Sequence, residues 1–227
     1  MKKIVKRVLP LFFIGLLVSS CAKRNALYSE TDFCNPKLSE KDSHDLFRYA
    51  VLKWHKNPKK TKKQFGNISN WDTSCITDMS YLFSKNSGFA YNIGTWNTEK
   101  VTNMSYMFQN AKNFSQNLDA WNIENVTDMS YMFQNAKNFN LNLSNWNIKK
   151  TTDISYMFQN TQNFNLNISQ WATEKSTSLW DIFDGASNFN ADIREWKSNN
   201  SLYEMEVIFS NTKNFNLHTS SGIRSFL

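Results

Sequence analysis

The chain has 227 residues, of which 41% are hydrophobic and 15% aromatic, and its formal net charge is +7. The positive charge is local, because residues 22–67 hold 11 basic and 5 acidic residues whereas residues 68–227 hold 11 basic and 14 acidic residues. Since the aromatic part of the chain is not basic, the charge distribution argues against nucleic-acid binding.

The first 20 residues have the pattern of a secretion signal. A basic start is followed by an uncharged apolar run, residues 8–18, which is short for a membrane span. The run ends in Val18-Ser19-Ser20-Cys21, which resembles a bacterial lipobox and implies cleavage before Cys21 and attachment of lipid to it. The alternatives are an ordinary signal peptide with a chance cysteine, and a retained membrane anchor.

Two cysteines remain once Cys21 is assigned to lipid. In an oxidising compartment, Cys34 and Cys75 either form a bridge between the leading segment and the repeats or stay free. The sequence leaves both alternatives open. Neither these cysteines nor the three scattered histidines have the spacing of a metal site, so we expect no metal and no cofactor.

The segment before the repeats divides into three parts. Residues 21–38 are predicted to be a flexible, lipid-anchored tether. Residues 39–56 predict a helix that Ser39 or Ser43 can cap and that Asn57-Pro58 ends. Residues 59–66 are predicted to be a lysine-rich connector, and residues 39–66 together cap the repeats. The basic segment 53–63 either is solvated, which we favour, or contacts anionic lipid or an acidic polymer.

A 25-residue repeat occupies residues 67–218, and residues 219–227 resemble a truncated further turn. Each of six units has a tryptophan that follows an Ile or Leu by three residues, and two phenylalanines lie further on. Such a period predicts a solenoid, in which each unit packs on its neighbours. The tryptophans are Trp71, Trp96, Trp121, Trp146, Trp171 and Trp196.

Each unit predicts a short strand and one helical turn. The stretch 143–148 alternates as a strand does. Met104, Met107 and Phe108 are spaced i, i+3, i+4, which predicts a helical turn that faces inward. Asn110 and its equivalents follow this turn, where the left-handed backbone region is tolerated. The expected fold class is an α+β repeat solenoid.

The repeat resembles that of the BspA-like surface proteins, which are related to leucine-rich repeats. The matching unit reads Trp-Asn-x-x-x-Val-Thr-Asp-Met-Ser-Tyr-Met-Phe-x-x-Ala-x-x-Phe-Asn and recurs from about residue 39 to 218. The resemblance implies a right-handed, leucine-rich-repeat-like coil of six repeats with an N-terminal capping helix. It also implies a surface lipoprotein with an adhesive or matrix-binding role, and it brings no catalytic residues.

The expected function is binding through the repeat surface, not catalysis. The aspartates Asp78, Asp128 and Asp153 share a column with Asn103, which indicates a turn position and not an acid/base pair. The expected partners are the membrane, through the lipid, and a host or envelope protein or polysaccharide. The expected location is the bacterial inner or outer membrane, exposed at the surface. The candidate binding residues are Glu99, Lys100, Glu124, Lys149 and Lys150.

Two other functions remain open on the sequence. A carbohydrate-binding module would use the periodic tryptophans as stacking platforms for sugars. A structural envelope protein would need no ligand. Tryptophan exposure distinguishes the carbohydrate-binding hypothesis from core packing, which we favour because the column occupies an inward position.

Overall fold

The computed structural model describes residues 32–171, 173, 177–193, 196 and 208–214. The predicted signal (1–20), Cys21 and the truncated turn (219–227) lie outside these residues. Helix α1 (Glu40–Lys56), helix α2 (Pro58–Phe65) and a 3₁₀ turn (Ile68–Asn70) come first. In the part of the chain that is described, no helix is long and apolar enough to cross a bilayer.

Helix α1 confirms the helix predicted over residues 39–56. Ser39 caps it, since its side chain accepts a hydrogen bond from the Asp42 N–H. Its buried stripe includes Phe47, Val51 and Trp54, which recur at three- and four-residue spacing and therefore lie on one face. The helix ends at Lys56, and Asn57, the residue before proline, is its C-cap, as expected.

The lysine-rich segment is a helix, so the connector predicted for residues 59–66 is wrong. Pro58 occupies the first turn of α2, and the Asn57 side chain accepts a hydrogen bond from the Lys60 N–H. Thr61 and Phe65 are buried one turn apart. Lysine is also a good helix former. The sequence-based interpretation gave weight to the charge and missed the cap and the two buried positions.

The end of the predicted tether is packed against the domain. Phe33 is fully buried, and its ring centroid lies 5.5 Å from that of Phe47 and 5.2 Å from that of Trp71. Next to it, Cys34 and Cys75 are joined by a disulfide with a Cα–Cα distance of 5.3 Å. Residues 32–38 thus differ from the flexible tether predicted for residues 21–38, because the large aromatic side chain at position 33 is removed from water; residues 21–31 lie outside the described residues.

Neighbouring repeats are joined by a backbone ladder of parallel hydrogen bonds. Every second N–H group in the segment 79–85 donates to a carbonyl in the segment 103–109, at distances of 2.7–3.0 Å. The same pattern joins the second repeat to the third and the third to the fourth. The donors in the first repeat are Met79, Tyr81, Phe83 and Lys85, and the acceptors are Asn103, Ser105, Met107 and Gln109.

The ladder lies where the sequence predicted a helical turn, and residues 143–148, for which it predicted a strand, form none. Between residues 71 and 171, strand pairing consists of single parallel bridges such as Asn103–Asp128. Two consecutive turns form the ladder segment, in which the Met107 N–H bonds to the Met104 carbonyl and the Ala111 N–H to the Phe108 carbonyl. The third residues of these turns, at 106 and 110, have positive φ, which marks type II turns.

Two positions of each ladder segment have a left-handed backbone, and the sequence predicted only the second of them. Asn110 has φ 61°, and Asn135 and Asn160 are similar, as expected for asparagine. Tyr106 and Tyr131 have φ 59° and 60°, although a bulky residue rarely adopts this region. This geometry leaves their N–H groups directed at the next repeat, where each bonds to a serine carbonyl. The inter-repeat bonds thus accompany a locally unfavourable backbone.

The core consists of aromatic columns, which confirms the inward prediction for tryptophan and phenylalanine. The six tryptophans of the column are 0–4% exposed, and five of them donate their indole N–H to a backbone carbonyl. Nothing in the structure explains why Trp146 makes no such bond. The Phe108 ring stacks at 5.6 Å on Phe133, and Met104 and Met107 are fully buried. The solenoid class, the handedness and the leucine-rich-repeat likeness stay predictions.

Helix α1 covers the open edge of the first repeat by replacing a missing repeat. In later repeats, the N–H groups at the positions of Thr77 and Asp78 bond to the preceding unit. Here His44 Nε2 accepts from both, at 2.9 and 3.2 Å. Arg48 donates to the Ser80 carbonyl at 2.8 Å and pairs with the Asp78 carboxylate at 3.0 Å. The helix thereby protects an edge that otherwise invites pairing with another chain.

Replacing His44 by Phe keeps a ring but removes the acceptor of this edge. The N–H groups of Thr77 and Asp78 then lose their protein partner, so we expect the free energy of unfolding to fall by about 1–3 kcal/mol. His44→Gln, whose amide oxygen can take the place of Nε2, should lose less. Denaturant unfolding measures both variants, and equal losses would contradict the capping role.

Candidate interaction surfaces

Short polar side chains fix the outward loops of each repeat. Asn97 Oδ1 accepts the Glu99 N–H at 2.9 Å, and Asn122 Oδ1 accepts the Glu124 N–H at 3.0 Å. This Asx turn holds the backbone without using the outward side chains. Asn147 does the same for Lys149. The loops after the buried tryptophans therefore present their side chains in register.

The five candidate binding residues lie on these loops and are all exposed. Glu99, Glu124 and Lys149 occupy the same position in successive repeats, and Lys100 and Lys150 occupy the next position. We call these five residues the charged strip. Asn125, between Lys100 and Lys150 in their column, donates to the Glu99 carbonyl at 2.8 Å and accepts from Lys150 Nζ at 2.7 Å. The strip is continuous over three repeats and carries both charges.

A shallow depression adjoins the charged strip. Its lining comes from the loops of two successive repeats and includes Trp121, Glu124 and Asn147. The exposed surface of this lining is more polar than apolar. Such a surface suits contact with a polar partner and lacks the enclosed apolar walls of a small-molecule site.

A second surface, which the sequence analysis missed, is a ladder of four tyrosines. Successive ring centroids are 4.4, 4.4 and 4.5 Å apart, and the ring planes differ by 7–10°. The residues are Tyr81, Tyr106, Tyr131 and Tyr156, and their spacing of 25 was visible in the sequence. Because the rings stack on one another, the faces of the inner two are covered, and these cannot act as sugar platforms.

Beside the tyrosines runs a chain of amide hydrogen bonds. Gln109 Nε2 donates to Gln134 Oε1 at 2.7 Å, and Gln134 Nε2 donates to Gln159 Oε1. Gln159 then donates to the Asp184 carboxylate at 2.9 Å. These side chains satisfy one another, so they stiffen the stack more than they invite a ligand.

The aspartates of the repeats are turn residues, as predicted. Oδ1 of Asp78, Asp128 and Asp153 each accepts the N–H two residues further on at 2.8 Å, and Asn103 makes the same bond at 2.9 Å. This shared role explains why an amide and a carboxylate alternate in one column. Within the described ranges, no group of three His, Cys, Asp or Glu side chains is placed to hold a metal ion.

Besides Tyr106 and Tyr131 of the ladder, two ionisable groups among the described residues have pKa values altered by their surroundings. Burial lowers the pKa of His55, whose ring packs against Phe83. Burial, followed by the charge of Asp184, raises the pKa of Asp181, which takes the tyrosine position in the fifth repeat. Neither group faces a cleft with a second reactive side chain, so these shifts give no reason to propose catalysis.

The structure defines a repeat protein whose 25-residue units stack on a shared aromatic core and expose the charged strip and the tyrosine ladder. Cys21, the predicted lipidation site, lies outside the described residues. The family "Mycoplasma protein of unknown function, DUF285" matches residues 54–162 and 142–222. These two segments span well over half of the chain, which therefore belongs to this family. A comparison with curated proteins found no match, and a comparison with solved structures also found none.

The tyrosine ladder predicts an abnormal titration of Tyr106. Burial, then the charges of Tyr131 and Tyr81, raise the pKa of Tyr106 from 10.0 to about 12. Since the folded pKa lies above the unfolded value, protonated Tyr106 contributes to the stability of the folded state. This contribution is complete below about pH 10 and is lost as the pH rises through about 12. Carbon NMR of labelled tyrosine measures this midpoint.

The Tyr131→Phe variant separates the ladder from general burial. It keeps the ring stacked but removes one neighbouring hydroxyl, so the Tyr106 midpoint should fall towards 10. Tyr91→Phe, outside the ladder, is the matched control and should leave the midpoint unchanged. If Tyr131→Phe leaves the titration midpoint of Tyr106 unchanged, electrostatic coupling along the ladder is contradicted.

Proposed function

We propose that the protein is a surface-exposed bacterial lipoprotein that binds a protein or matrix partner through its repeats and acts as an adhesion scaffold. The observation that carries this proposal is the charged strip, in which Asx turns hold exposed side chains in register. The strip rests on a core whose tryptophans are buried. A rigid, repeated and polar surface suits a large partner better than a small substrate.

The finer assignments belong to the same proposal. The repeats are BspA-like and form a right-handed, leucine-rich-repeat-like solenoid, which the stacking of units 25 residues apart supports. Cys21 carries lipid at the outer side of an inner or outer membrane. One short strip gives modest affinity, so many anchored copies would add avidity.

A carbohydrate-binding module remains the first alternative, and the tryptophans weigh against it. Trp71 and Trp121 are 4% and 3% exposed, so no ring of this column offers a free face to a sugar. Trp180, which is 53% exposed, stands outside the column. A structural envelope role is the second alternative and needs no ligand.

Charge reversal tests the strip. Partners captured from host matrix and envelope fractions by the lipid-free protein should bind at least about tenfold more weakly to a variant that carries Glu99→Lys, Lys100→Glu, Lys149→Glu and Lys150→Glu, because four exposed charge contacts are reversed. Surface plasmon resonance gives the affinity. Unchanged affinity for an identified partner would remove the strip as the site.

The matched control is the double variant Lys112→Glu, Lys137→Glu. It changes the net charge by the same amount: in the strip variant three lysine reversals and one glutamate reversal give a net change of −4, and the two lysine reversals of the control also give −4. Both lysines are exposed and lie outside the strip. The control should bind as the unchanged protein does, and thermal unfolding should show that both variants are folded.

Labelling with a fatty acid tests the anchor. In a bacterial host that processes lipoproteins, the unchanged chain should incorporate label and lose residues 1–20, because Val18-Ser19-Ser20-Cys21 ends the apolar run. Cys21→Ser should incorporate none. Cys34→Ser keeps Cys21 and serves as the control. Equal label in the Cys21→Ser protein would refute the anchor.

A further inference from the structure

Six lysines lie in the last turn of helix α1 and along helix α2. All six are exposed, and no acidic residue occurs between Asp45 and Asp72. Among the described residues an ion pair joins Arg48 to Asp78, and no ion pair between described residues includes any of the six lysines. The six are Lys53, Lys56, Lys59, Lys60, Lys62 and Lys63.

Helix geometry places the four lysines of α2 on one face of that helix. At about 100° per residue, the four lysines of α2 span roughly 160° of the helix, on the side opposite the buried Thr61 and Phe65. On α1, Lys56 lies opposite the buried stripe and Lys53 flanks it, while the exposed Asp45 shares the outer face two turns before Leu52. The segment is thus a fixed cationic surface and not a solvated connector.

An exposed leucine lies within the same surface. Leu52 is 58% exposed on the outer side of α1, next to Lys53 and one turn before Lys56. Lysines around an apolar side chain are typical of surfaces that lie in the headgroup region of a bilayer, where the apolar group enters and the ammonium groups meet phosphate.

We infer that the outer side of α1–α2 is a docking surface for anionic phospholipid. The charge complementarity is direct, because helix α2 holds four lysines and no acidic residue and the last turn of α1 adds two more lysines, while residues 68–227 carry a net charge of −3 from 11 basic and 14 acidic residues. The positive end therefore turns to the bilayer and the repeats point away. This orientation leaves the charged strip free for a partner.

The position in the chain supports the same occupant, in a step that rests on the proposed lipid anchor. Cys21 precedes Cys34 by 13 residues, and Cys34 is bonded to Cys75 at the start of the repeats. Thirteen residues span at most about 45 Å. An anchored copy thus keeps the helix pair at a high effective concentration near the membrane.

Vesicle co-sedimentation with the lipid-free chain from residue 22 tests this surface without using the anchor. This chain retains every described residue. We expect binding to vesicles of equal parts phosphatidylcholine and phosphatidylglycerol, little binding to pure phosphatidylcholine, and loss of binding at high salt. No binding to the anionic vesicles would overturn the inference, whatever the fatty-acid labelling shows.

Two variants of equal charge locate the binding. Replacement of Lys59, Lys60, Lys62 and Lys63 by Gln should lower the partition coefficient by about fivefold for each lysine removed. Replacement of Lys85, Lys112, Lys137 and Lys213 by Gln removes as many exposed lysines from the repeats, all of them outside the charged strip, and should change it little. Equal loss in both variants would overturn the inference, since net charge alone would then explain binding. Tryptophan fluorescence shows that each variant is folded.

Leu52→Ser distinguishes a bilayer from a soluble acidic polymer. It should weaken binding to the anionic vesicles by several-fold, because the apolar insertion is lost, and leave binding to dextran sulfate unchanged. If the unchanged chain binds dextran sulfate as strongly as anionic vesicles and Leu52→Ser alters neither, the surface recognises acidic polymers and the membrane assignment fails.

Discussion

The backbone ladder between the segment 79–85 and its equivalents is the interaction on which the rest of the structure depends. One repeat cannot fold alone, because its buried side chains offset less than the conformational entropy of ordering 25 residues. The ladder brings successive repeats into the same register, and only then do Trp121, Phe108 and their equivalents form continuous columns. The two left-handed residues of each segment, such as Tyr106 and Asn110, are the local cost of directing alternate N–H groups to the next repeat.

The periodicity made the stacking and the inward columns predictable, but not the backbone that produces them. Fixed spacing identified Trp121 and Phe108 as buried without any knowledge of local conformation. Hydrophobic spacing could not separate a helical turn from two consecutive type II turns, since Met104, Met107 and Phe108 are buried in either. A tyrosine with positive φ has no sequence signature, because its backbone is held by hydrogen bonds to the neighbouring repeat.

The candidate surfaces were predictable to different degrees for similar reasons. Glu99 and Lys149 are charged and each lies close behind a buried tryptophan, so their exposure in the strip was predictable. The tyrosine ladder was overlooked because tyrosine at a regular spacing reads as core. Helix α2 was overlooked because four lysines obscure the two buried positions, Thr61 and Phe65, that fix it. Together these features divide the molecule into a basic helical end and a repeat stack with mixed charge, and that division underlies both proposals.

Amide hydrogen exchange measured residue by residue tests the ladder most directly. The N–H groups of Met104, Tyr106, Phe108 and Asn110 donate to the third repeat, whereas those of Glu99 and Lys149 bond only to a loop asparagine. The account predicts that the first group exchanges only through opening of the stack and is among the slowest in the protein. If those four amides exchange as fast as the amides of Glu99 and Lys149, the ladder does not hold the repeats together.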